Sequence, residues 1–188
     1  MGIDVVELSA RAEIMDVLTR YTRGVDRLDT DLVRSAYHPD AYDDHGLYRG
    51  DVDGLVKFLS ALTQFERTMH FMGNHTAVVQ GDAAWTETYC VAWHRHLSSR
   101  SGTLRDNVQG IRYLDYLEQR DARWGIARRE IVLDWMRVDE VTNPGVPPPD
   151  WPQGRRDSDD RSVAHFAEAA ARRPVAAPAS SSESRTSD

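Results

Sequence analysis

Thr68-Met69-His70-Phe71-Met72-Gly73-Asn74-His75 opens the half of the chain in which apolar residues recur with a period of two. Alternation over 67–80, 83–98, 104–119 and 124–137 predicts four long strands. Gln80-Gly81-Asp82, Ser98-Ser99-Arg100-Ser101-Gly102 and Gln119-Arg120-Asp121-Ala122-Arg123 supply the turns between them. Four long strands in meander order make a curved antiparallel sheet, and a sheet of that length must bury one face.

The residues upstream supply the cover. Over 5–27, Ile14, Leu18, Tyr21 and Val25 recur at helical spacing with Val17 beside them, and Ser9 with Glu13 is a loose start signal. Asp29 or Thr30 caps a short second helix over 30–37, which His38-Pro39-Asp40 stops because proline cannot continue a helix. The glycine-punctuated stretch 41–50 suits a short strand or hairpin. Asp51 or Asp53 caps a third helix to about residue 64. The fold class is therefore α+β, three N-terminal helices packed on a curved, mainly antiparallel sheet. This domain spans 1–139; residues 140–188 are Pro/Ala/Ser-rich and read as a mostly disordered tail with a short helical pattern over 161–172.

Composition narrows the partners. A net charge of −7 argues against a nucleic-acid ligand, which needs a basic face. No apolar run is long enough to cross a bilayer. Met1-Gly2-Ile3-Asp4 lacks the regions of a signal peptide, and Val6 stands where a myristoylation motif needs Ser or Thr. The one cysteine, Cys90, excludes an internal disulfide and fits a cytoplasmic location; on a strand it reads as core filler.

Four residues draw attention for chemistry. His70 takes the inward parity, either as a hydrogen-bonded core residue or as a base oriented by a carboxylate. Asp26 lies at the edge of the first helix's apolar stripe, either as a solvated helix-end aspartate or as that carboxylate. Tyr21 lies on the stripe, as core packing or as a hydrogen-bond donor. Arg129 shares a parity with Ala127, Ile131, Leu133 and Trp135, so it is either paired with a neighbouring strand or aimed into a ligand cavity. His94 and His96 share a parity, but no carboxylate pattern completes a metal site, and His75 has the wrong parity to join His70. There is no phosphate-binding glycine loop and no Gly-x-Ser-x-Gly elbow. We expect neither metal nor cofactor.

Tyr21-Thr22-Arg23-Gly24-Val25-Asp26, Thr68-Met69-His70-Phe71-Met72-Gly73-Asn74 and Trp124-Gly125-Ile126-Ala127-Arg128-Arg129, in that order, resemble the SnoaL-like branch of the nuclear transport factor 2-like superfamily. That branch includes bile acid 7α-dehydratase, scytalone dehydratase and hexachlorocyclohexane dehydrochlorinase. The resemblance covers about 5–137 and implies a cystatin-like cone of four to six strands. It implies a catalytic Asp26–His70 dyad, with Arg129 and Tyr21 holding the oxygen on which charge develops. The activity implied is a cofactor-free dehydratase-type elimination on a small, cyclic or polycyclic hydrophobic substrate. Phe71, Met72, Trp93, Tyr113 and Trp135 are then the apolar lining, or else ordinary cone core. A polyketide cyclase or ketosteroid-type isomerase would use the same dyad, and a non-catalytic ligand-binding or assembly module would dispense with it. The apolar outer face of such a sheet implies a homodimer or homotrimer.

Overall fold

In the computed structural model of the protein, the described residues are 4–172. The reading of the chain start and of 174–188 lies outside them. Helix α1 (Val5–Arg27) starts at Asp4, whose carboxylate accepts from the Glu7 N–H, rather than at Ser9. It ends at Leu28 in the left-handed conformation. One stripe, Ile14, Val17, Leu18, Tyr21 and Val25, is buried. At about 1.5–3 kcal/mol for each large apolar side chain fully buried, that stripe rather than helix propensity holds α1 in place. Gly24 belongs to the packing: a Cβ there would stand 2.8 Å from the Val33 backbone N and 2.8 Å from its side chain. The residue that weakens the last turn of α1 thus lets α2 (Thr30–Ser35, capped by Asp29) close against it.

Strand β1 (Tyr37–Asp44) follows directly, then β2 (Arg49–Asp51) and α3 (Val52–Ser60), capped by Asp51. Here the sequence reading needs correction, because the strand expected within 41–50 begins at Tyr37, so His38-Pro39-Asp40 lies inside it and is not a stop after the helix. The register of β1 against β6 breaks between Tyr37 and Tyr42, and Pro39, which has no N–H to donate, falls in that break. Strands β3 (Phe65–Gln80), β4 (Ala83–Leu97), β5 (Leu104–Arg120) and β6 (Arg123–Glu140) form the expected meander. The sheet runs β2-β1-β6-β5-β4-β3, with only β1–β6 parallel. The helices pack on its concave face in a cystatin-like α+β cone.

Bulges decide which side chains enter the cone. Gly73 and Asn74 together face the gap between Cys90 and Thr88, so His75 lands opposite Thr88 on the inward face, contrary to simple alternation. Strand β6 has two such breaks, at Ala127 and at Asp134. The second turns Trp135 to the convex face, opposite Gly110, whose missing Cβ would stand 2.1 Å from the indole nitrogen.

Beyond β6 the described residues include one further helix, where the sequence shows a helical pattern over 161–172. Helix α4 (Arg161–Ala171) forms, capped by Asp160, and the Arg23 guanidinium lies 4.7 Å from the centre of the Phe166 ring. No described helix is long and apolar enough to cross a membrane.

Candidate active site

The end of α1 and the start of β3 bring Asp26 and His70 together. The His70 ring Nδ1 lies 2.7 Å from Asp26 Oδ1, and the His70 backbone N–H donates to Oδ2 at 3.0 Å. The Thr68 hydroxyl donates to Oδ1 at 2.8 Å. Both side chains are largely buried, 7% exposed for His70 and 13% for Asp26. Burial works to raise the Asp26 pKa, but the hydrogen bonds from His70 and Thr68 outweigh it and hold the carboxyl below its ordinary value. An ionised Asp26 makes Nδ1 the protonated nitrogen of a neutral His70. Nε2 then carries the lone pair.

Strand register gives the concave-face neighbours of His70. One cross-strand row on the concave face runs His70, Ala92, Gln109, Met136. The neighbouring rows are Thr68, His94, Asn107, Val138 and Met72, Cys90, Ile111, Leu133. Met136 is 56% and Leu133 55% exposed, so this end of the concave face is open. His94 stands beside the dyad, its ring 5.2 Å from that of His70 and nearly perpendicular to it. Its Nδ1 is buried without a partner among the described residues. Burial, the largest cause, lowers its pKa to about 4, so His94 is neutral at neutral pH.

The other expected site residues fall elsewhere. Arg129 is fully buried and donates to both oxygens of Asp115, and its guanidinium lies between the rings of Tyr21 and Tyr113 at 4.1 and 4.3 Å. Arg129 and Tyr21 are therefore buried in the core, where the guanidinium engages Asp115. Tyr113 is likewise core, its hydroxyl donating to Cys90 Sγ at 3.7 Å. Cys90 itself is buried, with its thiol pushed up to about 11. Met72 is on the face of His70 and partly buried against the core. Phe71, Trp93 and Trp135 are on the convex face: Phe71 is 65% exposed, Trp93 pairs with the exposed Met69, and the Asp134 bulge turns Trp135 outward. Adjacent strand residues cannot share a face, which already separates Phe71 from His70. Gln109, Leu133 and Met136 share the face of His70, and sequence reasoning singled out none of them for the site. Gln109 is placed there by its register opposite Ala92, and Met136 by the bulge at Asp134. Among the described residues no group of three or more His, Cys, Asp or Glu side chains is arranged to hold a metal ion.

The cone, the three covering helices and the mixed sheet place the protein in the nuclear transport factor 2-like class. Within it the chain belongs to the SnoaL-like domain family, whose model matches residues 6–130. It is 30% identical over 132 residues to the uncharacterised protein Rv2910c of Mycobacterium tuberculosis, covering 68% of this chain and 87% of that one. Among solved structures it is similar to the type 3 hexachlorocyclohexane dehydrochlorinase of Novosphingobium barchaimii at a TM-score of 0.64 and 17% identity, over 75% of this chain and 97% of that one. A protein of unknown function with a cystatin-like fold from Nostoc punctiforme matches at a TM-score of 0.54 and 15% identity, over 71% and 96%.

Proposed function

We propose that the protein is a cofactor-free lyase in which His70, oriented by Asp26, is the general base of an elimination. The 2.7 Å contact between the His70 ring and the Asp26 carboxylate carries this reading. The carboxylate accepts three hydrogen bonds, all from Thr68 and His70, which fixes the ring's tautomer and direction. The base would take a proton from carbon next to an activating group. The C–H electron pair becomes the new double bond, and the group on the adjacent carbon leaves with its bonding pair, as halide or as hydroxide that takes the proton held by His70 and departs as water. His94 and Gln109 stand on the face of His70 and would take the hydrogen-bonding role expected of Arg129 and Tyr21. Leu133, Met136 and Met72 suit an apolar ring. The dehydrochlorinase to which the fold is similar is named for an elimination, which agrees with this chemistry.

An isomerase or cyclase would use the same base without a leaving group, so the test separates them by product. Incubation with a panel of cyclic β-hydroxy ketones and vicinal chloroalkanes in D2O should release water or chloride. His70→Ala and Asp26→Asn should each lower that rate by about 10²–10⁴-fold with the fold intact by circular dichroism. Solvent deuterium entering a substrate that keeps its leaving group would favour the isomerase. A wild-type rate in folded His70→Ala would overturn the base assignment.

A further inference from the structure

The two halves of the dyad come from elements distant in sequence, and one side chain from outside the matched family segment ties them together. Arg156 reaches back from the tail to the backbone of both. Its Nε donates to the Asp26 carbonyl at 3.4 Å and its Nη2 to the Val25 carbonyl at 3.2 Å. Its Nη1 donates to the Leu62 carbonyl at 3.2 Å and to the Phe65 carbonyl at 2.9 Å. Val25 and Asp26 are in the last turn of α1, where the negative end of the helix dipole favours a cation. Leu62 and Phe65 belong to the connection that becomes β3, five residues before His70 at its nearest point.

The segment carrying Arg156 is itself anchored. Asp160, 6% exposed, accepts from the Arg155 backbone N–H at 2.8 Å and lies 3.4 Å from the Arg27 guanidinium. The Arg67 guanidinium donates to Gln153 at 3.2 Å. Arg27 directly follows Asp26 and Arg67 closely precedes His70, so the strap grips α1 and β3 beside each half of the dyad.

We propose that Arg156 is the positioning residue of the Asp26–His70 dyad: it clamps the end of α1 to the start of β3 and so keeps the carboxylate and the imidazole in hydrogen-bonding register. The clamp deepens the lyase reading, since its value to the protein is a correctly held base. A planar guanidinium is required. Only its fork of fixed donors can bridge four carbonyls at once, and a lysine ammonium would keep the charge and lose the bridge.

The test reads the dyad without turnover. In the full chain, proton NMR should show the His70 Nδ1–H as a downfield, slowly exchanging signal, assigned by its loss in His70→Ala. Arg156→Lys and Arg156→Met should each broaden or abolish that signal, or raise its exchange with solvent by about tenfold or more. Arg155→Ala, at an exposed neighbour, should leave it unchanged. If a variant unfolds, the remaining one carries the test, and Arg156→Lys separates bridge from charge. An unchanged His70 signal in folded Arg156→Lys would overturn the clamp while leaving the lyase reading standing. A normal wild-type signal, sensitive to Arg156, in a protein that eliminates nothing from the panel would overturn the lyase reading and leave the clamp.

Discussion

Arg129 holds Asp115 through two parallel hydrogen bonds, Nε to Oδ1 at 2.7 Å and Nη2 to Oδ2 at 2.8 Å, with no exposed surface on either side chain. The two residues face each other across β5 and β6. Burial works against the charge on Arg129, and the Asp115 carboxylate outweighs it, so the pKa of Arg129 stays above its ordinary value. The network extends through the Tyr37 hydroxyl, which donates to Asp43 at 2.6 Å, to His45, 3.1 Å from that carboxylate. This pair is a structural centre beneath α1, separate from the dyad.

Removing one partner should be far worse than removing both. Asp115→Asn leaves a buried guanidinium uncompensated and should cost about 3–5 kcal/mol in urea unfolding. The double variant Asp115→Leu/Arg129→Met should lose much less. Equal losses in the two proteins would show that the pair's charges do not matter.

His94 should make the protein acid-sensitive. Its folded pKa is about 4, below the ordinary histidine value of 6.5, so between those limits the unfolded chain binds a proton that the folded one does not. Stability should therefore fall as pH drops from 6.5 towards 4, by on the order of 3 kcal/mol from this residue. His94→Gln should flatten that slope in denaturation midpoints measured across the window. Asp26 acts at lower pH: its folded pKa is depressed, so its contribution is complete above the unfolded carboxyl value and is lost as pH falls through the folded one.

The β5–β6 turn carries strain that glycine would relieve. Asp121 and Ala122 have φ of 50° and 57°, the two positive values of a tight hairpin turn, and alanine is poorly suited to the second. Ala122→Gly should raise stability by about 0.5–1 kcal/mol, seen as a higher melting temperature. An unchanged or lower melting temperature would refute this.

The convex face should carry the subunit contact. Met69, Phe71, Val91 and Trp135 are each more than 40% exposed there, and Phe71, Val91, Gly110 and Trp135 form one cross-strand row. Sedimentation should find a dimer or trimer of the 21.3 kDa chain, and Met69→Lys/Phe71→Glu should return it to monomer. A monomeric wild type at tens of micromolar would count against this face.

Much of the molecule was legible one segment at a time. The limits of α1, the four long strands and the capping of α2 and α3 follow from periodicity and from side chains that bond their own neighbours, which are local properties of the chain. Asp26 and His70 were legible as candidates for the same reason: each sits at a readable place on its own element. What only the tertiary structure decided is every relation between elements. Alternation runs on past a bulge because the bulge depends on the partner strand, so His75, Met136 and Trp135 changed faces at breaks in pairing with no mark in sequence. Arg129 and Asp115 are 14 residues apart, and only the β5–β6 register makes them partners. Arg156, 130 residues from Asp26, sits in a stretch whose composition reads as disordered. Its place is set by backbone carbonyls at the ends of two other elements, which come within reach of one guanidinium only once those elements have folded.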